Sequence, residues 1–245
     1  MAKKSLSIVI PCYNEEEGIP HLAEKINKVI PDLEKEYSVE LILVDDGSID
    51  KTNQLLQQYF SNNSHSRIVT HEKNKNLGAA LRTGFAHCTG DYIAALDSDC
   101  TYSPELLAHM LEMMDEHTDI VTVSPYHPQG KINNVPAYRI FLSKGASFLY
   151  RIVLDWNLYT YTAMVRVYKK EVIKNVPFER DNFLGVTELL VKAMLKRYAV
   201  KEMPAELNAR RFGVSKMKMI PVKVIGNHLS LLSQALRHKI FKTAP

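Results

Sequence analysis

Apolar positions along this chain alternate between two rhythms. Leu6–Ile10 (LSIVI), Val39–Val44 (VELILV), Arg67–Thr70, Tyr92–Leu96 (YIAAL) and Asp119–Val123 are short, nearly continuous apolar runs, as expected of strands buried on both faces. Between them apolar residues recur at helical spacing: Ile19, Leu22, Ile26, Val29, Ile30 and Leu33, then Leu55, Leu56, Tyr59 and Phe60, then Ala80, Leu81, Phe85 and Cys88, then Leu106, Leu107, Met110, Leu111 and Met114. Pro31 is expected to end or kink the first of these helices. Asp50 is placed to cap the second, and Ser103, Pro104 and Glu105 to open the fourth. Five strand–helix alternations with short connections predict an α/β fold with a parallel sheet covered on both faces.

Such sheets bind ligands outside the carboxyl ends of their strands. Three polar clusters fall there: Pro11–Glu15, Asp45–Ser48 and Asp97–Asp99. The last belongs to GDYIAALDSDCTYSPE, residues 90–105, where an apolar strand delivers two carboxylates one residue apart to its lip. Buried carboxylates are costly without a cation, and a hard divalent metal shared with phosphate oxygens would supply one. A strand-end turn is the plainer account of Asp and Ser in this position, and the convergence of three clusters on one rim favours the metal. The chain has no GxGxxG after its first strand and no GxxxxGK[ST] loop. A phospho-accepting signalling domain would leave the first strand–helix unit and the segment beyond Val123 unexplained.

The formal net charge of +4 is unevenly distributed. Residues 201–245 carry nine Lys/Arg against two acids, leaving the first 200 residues at −3. A basic tail behind a mildly acidic body suits an anionic partner. The N-terminus lacks signal-peptide character and no run approaches the ~20 apolar residues of a membrane span. Three scattered cysteines, Cys12, Cys88 and Cys100, are expected to be reduced, which points to the cytoplasm.

Five segments in order resemble family 2 glycosyltransferases of the GT-A fold, above all the dolichol- and polyprenyl-phosphate mannosyl- and glucosyltransferases: IVIPCYNEEEGI, LILVDDGSID, NKNLGAALRTGF, GDYIAALDSDCTYSPE and ELNARRFGVSK. The resemblance spans roughly residues 5 to 218, so it implies a catalytic domain over 1–218 (donor half to about 125, acceptor half beyond) and a basic amphipathic helix over 219–245. It places Pro11, Tyr13, Glu15, Val44 and Asp46 at the nucleotide base and ribose. Tyr13 can equally serve packing and Glu15 helix capping, and Asp45 is expected to orient its loop. Asp97 and Asp99, with Ser98 between them, correspond to the family's DxD pair, which holds Mg2+ or Mn2+ on the diphosphate. Arg139 and Ser143 match the acceptor loop, and Arg210 and Lys216 the groups that bind donor and acceptor phosphates.

The implied activity is inverting, metal-dependent transfer of a hexose from a GDP- or UDP-sugar to a polyprenyl phosphate, by a peripheral enzyme at the cytoplasmic membrane face, with no nucleic-acid partner. An alternative keeps the donor and uses a hydroxyl acceptor, with Glu188 as general base. More remote readings are a nucleotidyltransferase, whose Gly-rich N-terminal loop is absent, and a non-catalytic nucleotide-sugar-binding protein. Two departures stand out: the relatives' DADLQ is DSDCT, putting Thr101 at the Gln position, and their SRY is Ser124-Pro125-Tyr126, without the arginine. Two apolar-basic segments, Arg139–Trp156 and Ile220–Phe241, suit a membrane surface. A core helix accounts for the first about as well, and a homodimer interface for the second.

Overall fold

The computed structural model describes residues 3–213 and 221–241. In chain order the elements are β1 (Lys4–Cys12), α1 (Ile19–Leu33), β2 (Tyr37–Asp45), α2 (Thr52–Phe60), β3 (Ser66–Thr70), α3 (Leu77–Ala86), β4 (Tyr92–Ala95), α4 (Leu106–Glu112) and β5 (Ile120–Ser124). Then follow β6 (Lys131–Asn133), α5 (Ala137–Val153), β7 (Arg166–Lys169), α6 (Lys170–Asn175), α7 (Leu184–Leu195), β8 (Val200–Pro204), β9 (Glu206–Asn208) and α8 (Pro221–Phe241). All five expected strands and the helices between them are present.

Seven strands form one sheet in the order β3-β2-β1-β4-β7-β5-β8, while β6 and β9 pair separately. Strand β7 runs antiparallel to both neighbours, and every other pairing is parallel. The pleat sends alternate residues to opposite faces. Thus Leu6, Ile8 and Ile10 of β1 pack with Leu22, Ile26, Leu56 and Phe60, whereas Val9 joins Ile42, Val44, Ile93, Leu81 and Leu189 on the other face. Helix α8 belongs to this second layer: Leu231, Leu232 and Ala235 are buried with residues of α5 and α7.

Three local expectations change. Helix α1 continues through Pro31 to Leu33, because Leu33 is buried in the core while Pro31 faces solvent in the last turn, where few hydrogen bonds remain to be lost. Helix α4 begins at Leu106 rather than beside Ser103: the Ser103 hydroxyl donates to the Glu105 carboxylate (2.9 Å) and residues 103–105 form a turn ahead of the helix. Asp50 accepts the Thr52 N–H (2.9 Å) and also that of Glu16 (3.3 Å), so it ties the start of α2 to the loop after β1.

Arg166, which no motif singled out, is a fully buried side chain at the centre of the sheet. Its guanidinium donates to the Thr122 hydroxyl (3.1 Å) and to the carbonyls of Val186 (2.6 Å) and Tyr161 (2.8 Å). One side chain therefore joins β5, the segment before β7 and the first turn of α7. Close packing also brings α3 onto the segment ahead of α7. A Cβ on Gly78 would stand 2.1 Å from the Arg180 carbonyl oxygen, and the Gly78 N–H donates to the Asp181 carbonyl (2.5 Å).

Candidate active site

Parallel pairing sets Pro11 beside Val44 and Cys12 beside Asp45, so the loops after β1 and β2 leave the sheet together. Leu96 donates to the Val9 carbonyl (3.0 Å), which brings the Asp97 loop alongside. The three clusters expected at one rim are in fact adjacent. Gly47 turns the second loop at φ +69°, and a Cβ there would lie 2.3 Å from the Lys73 backbone.

The two adjacent aspartates of this loop have separate local duties. Asp45 accepts the Ser48 N–H (3.0 Å) and an Asn53 amide hydrogen (2.9 Å), as expected of a loop-orienting residue. Asp46, assigned to the nucleotide pocket by resemblance, is buried, and its carboxylate accepts from His71 Nδ1 (2.7 Å), Asn74 (2.9 Å) and the Lys75 N–H (2.9 Å). The other ring nitrogen of His71 meets the Thr83 hydroxyl at 2.9 Å. With His71 donating to Asp46, this chain of contacts holds the loop before α3 against the rim. Val44 is wholly buried against the layer containing α3, so only its backbone faces the rim. Tyr13 is half-buried, and Asn14 beside it takes a positive φ of 51° and accepts the Ile49 N–H (2.9 Å).

Asp97, Ser98 and Asp99 are half-buried at the lip of β4. Burial, and then the charge of Asp99, push the Asp97 carboxyl well above the usual carboxylate range. Burial raises Asp99 as well, opposed by hydrogen bonds from the Thr101 N–H and hydroxyl and by the charge of Arg139. Both carboxyls therefore resist ionisation at this lip. Thr101, at the relatives' Gln position, spends its N–H on Asp99 (3.1 Å) and its carbonyl on Asn208 (3.0 Å).

Asn208 introduces the returning segment that covers this rim. Arg210 is ion-paired with the buried Glu15 and reaches Asp99 at 3.5 Å, while its Nε donates to the Phe212 carbonyl (2.6 Å). Phe212 lies against His21 with ring centroids 5.4 Å apart, and the Gly213 N–H donates to Glu17 (2.9 Å). Arg210, matched by resemblance to a phosphate-binding group, is thus held at the rim by Glu15 and Asp99. Lys216 lies outside the described residues.

On the acceptor side, Arg139 is near enough to Asp99 to influence its charge, and the Ser143 hydroxyl pairs with that of Thr162 (2.6 Å). Pro125 stands where the relatives have that arginine, and Tyr126 beside it carries the Lys144 ammonium 5.3 Å from its ring centre. Lys144 is a cation whose place beside this motif no linear spacing reveals. Glu188 is elsewhere: buried on α7, it accepts the N–H groups of Glu179 (3.1 Å) and Arg180 (2.9 Å) and pairs with Lys192 at 2.9 Å. Both of its oxygens are engaged by neighbours of α7, and none of those partners comes from the rim loops.

A parallel sheet with one reversed strand, a rim of three acidic loops and a carboxylate pair at the lip of β4 define a glycosyltransferase of the GT-A type. The chain belongs to glycosyl transferase family 2, whose model matches residues 7–176. It is 30% identical over 215 residues to a dolichol-phosphate mannosyltransferase of Pyrococcus furiosus, a match covering 87% of this chain and 59% of that protein. It is likewise 30% identical over 217 residues to a polyprenol monophosphomannose synthase of Mycolicibacterium smegmatis, covering 86% of this chain and 80% of that one. Its fold is similar to glucosyl-3-phosphoglycerate synthase from Mycobacterium tuberculosis, solved with Mn2+, UDP and glucosyl-3-phosphoglycerate, at TM-score 0.65 and 20% identity over 96% of this chain and 79% of that one.

Proposed function

We propose that this glycosyltransferase moves a hexose, with inversion, from a nucleoside-diphosphate sugar to a polyprenyl-type phosphate at the cytoplasmic face of a membrane. The observation that carries the reading is the polar inventory of the rim. A carboxylate pair that calls for a cation stands beside two arginines, Arg210 from one side and Arg139 from the other. That set suits two phosphate-bearing ligands meeting at one point. The names of the two 30% relatives support the lipid-phosphate acceptor.

Asp97 and Asp99 would hold Mg2+ or Mn2+, and the bound ion would supply charge stabilisation to the nucleoside diphosphate leaving group. Pro11, Tyr13 and Glu15, with the backbone at Val44, flank the nucleoside, and Asp46 keeps that wall in shape through His71 and Asn74. Arg210 exchanges its pairing with Glu15 and Asp99 for donor phosphate oxygens. Arg139, Ser143 and Lys144 meet the acceptor phosphate, an anion at neutral pH that needs positioning rather than deprotonation. Lys216 is assigned to the same phosphates from its motif. The test is a donor screen with GDP- and UDP-hexoses against a polyprenyl phosphate and a membrane lipid extract, read by product mass. Transfer only to hydroxyl-bearing lipids would overturn the acceptor assignment.

Glu188 is positioned as a structural carboxylate in this scheme. Glu188→Gln should leave kcat within about threefold of the parent while lowering Tm, because an amide cannot serve Lys192 and two N–H groups as a carboxylate does. A large loss of kcat at unchanged Tm would restore it as the base for a hydroxyl acceptor.

The membrane face is carried by α5 and α8. No helix among the described residues is long and apolar enough to cross a membrane. Helix α5 buries only Ser147 and Tyr150, and leaves Phe141 77%, Phe148 50% and Ile152 62% exposed. Helix α8, packed beside it, exposes Leu229, Leu236 and Ile240. Arg151 stacks between Trp156 (4.3 Å) and Tyr159 (4.4 Å), presenting a cation amid the aromatic groups. Phe141→Ser with Ile152→Ser should reduce sedimentation with anionic liposomes by about tenfold, from the apolar area no longer inserted. Unchanged sedimentation together with a loss of self-association would assign the face to a homodimer.

A further inference from the structure

Residues 208–213 cross the rim as a strap fastened at both ends. Its start is held by the Asn208 N–H, which donates to the Thr101 carbonyl (3.0 Å), and by the Ala209 N–H, which donates to that of Asn133 (2.9 Å). Its end lies on the start of α1, with the Gly213 N–H on Glu17 (2.9 Å) and the Phe212 ring against His21. Between these anchors the Arg210 guanidinium spans two carboxylates from different loops. It pairs with Glu15 through Nη2 and with Asp99 through Nη1, the latter at 3.5 Å. Its Nε is turned back to the Phe212 carbonyl (2.6 Å), which fixes the plane of the fork.

A structural ion pair would account for Glu15 alone, since that carboxylate is buried and needs a counter-charge. Asp99 is different, because it is half of the carboxylate pair at the lip of β4. Among the described residues Arg210 is the only cation within ion-pairing distance of Asp99, and Asp97 has none. A divalent ion arriving by itself would meet a fixed positive charge at an oxygen it has to bind. Two cations a few ångströms apart repel by far more than thermal energy, even at an effective dielectric constant of about 20. A diphosphate changes that balance. It offers the guanidinium bidentate acceptors and brings several negative charges to the same lip.

We propose that Arg210 is an internal counter-cation, which holds Asp99 in the ligand-free enzyme and closes the carboxylate pair to a metal ion arriving alone. The diphosphate of a bound donor draws the guanidinium off Asp99, so that ion and donor enter together. The strap stays fastened at Asn208 and Gly213 while the side chain swings, and the fold does not change. The consequence is positive coupling: ion and donor each raise the affinity for the other through the release of one side chain. This inference rests on the metal and donor reading of the rim, and adds to it what guards the pair before the donor binds.

Mn2+ titrated alone into the full chain, with the free ion followed by electron paramagnetic resonance, tests this without turnover. Arg210→Met should bind Mn2+ at least about tenfold more tightly than the parent, while its affinity for UDP or GDP in EDTA falls about tenfold. Arg211→Gln removes the same charge from the next, exposed residue, and should change Mn2+ affinity by less than about twofold. Because Arg210→Met strands the buried Glu15, the double variant Glu15→Gln with Arg210→Met is measured beside it. That protein lacks both members of the pair and should also bind Mn2+ more tightly than the parent. Equal Mn2+ affinity in the parent and both Arg210 variants would overturn the proposal. Equal gains in Arg210→Met and Arg211→Gln would replace it with the general field of the protein. A parent that binds Mn2+ no better with UDP or GDP present, once chelation by the nucleotide is subtracted, would remove the coupling. Absence of Mn2+ binding in every protein, nucleotide included, would strike the metal site itself.

Discussion

Asp97→Asn and Asp99→Asn are each expected to lower turnover by roughly a hundredfold to several thousandfold, the several kcal/mol of leaving-group stabilisation that a metal supplies. The accompanying stability change has the opposite sign from the usual loss of a carboxylate. The folded-state pKa of Asp97 lies above its unfolded value through burial and the charge of Asp99. The folded state therefore binds more protons, and the contribution of this group to stability falls as pH rises from the ordinary carboxylate value through the raised one. At pH values above the ordinary carboxylate range Asp97 therefore costs the metal-free fold stability, and Asp97→Asn relieves that cost. Melting curves without metal should show Asp97→Asn equal to or above the parent at pH 8, with the difference shrinking at pH 4. A variant that loses Tm at pH 8 while keeping turnover would remove Asp97 from the site.

Arg166→Leu is expected to cost about 3–5 kcal/mol, the range for breaking a buried and fully hydrogen-bonded charged group. The substitution strands the Thr122 hydroxyl and the carbonyls of Val186 and Tyr161 without their donor. For a chain of this size that loss should lower Tm by about 10 °C or more. Arg166→Lys should rescue little, because one ammonium cannot reproduce a planar fork aimed at three elements. The damage should reach the acceptor half: Tyr161 stacks on Tyr150 of α5 with ring centroids 5.3 Å apart, so releasing the segment before β7 loosens the helix carrying Arg139 and Ser143. Thermal melts and the KM for acceptor measure the two effects separately. A stable Arg166→Leu variant would show that the three acceptors find water instead.

The donor half was readable because its signals are local. An apolar run ending in acids and turn residues is a strand reaching a rim, and parallel order follows from the intervening helices. The acceptor half was not. Strands β6 and β9 are three residues each, and β8 (VKEMP) reads as polar, because a strand only partly covered has no need of an apolar run. The reversal of strand β7 could not be read at all, since alternation encodes which face is buried and carries no direction.

Residue chemistry divides in the same way. The sequence by itself set Asp97 and Asp99 at the lip of a buried strand on the same rim as Pro11–Glu15 and Asp45–Ser48. An apolar strand that ends in two acids must deliver them to its lip, which residue type and order alone make legible. Only the tertiary structure decided what neighbouring acids do. Asp46 is turned inward by His71 and Asn74, which arrive from beyond β3, and Glu188 is claimed by Lys192 and the 179–180 backbone. Whether a carboxylate is available to a ligand depends on which donors the fold brings to it: Asp46 has its donors from beyond β3, and Glu188 has Lys192 one turn along α7 and the 179–180 backbone folded back onto that helix.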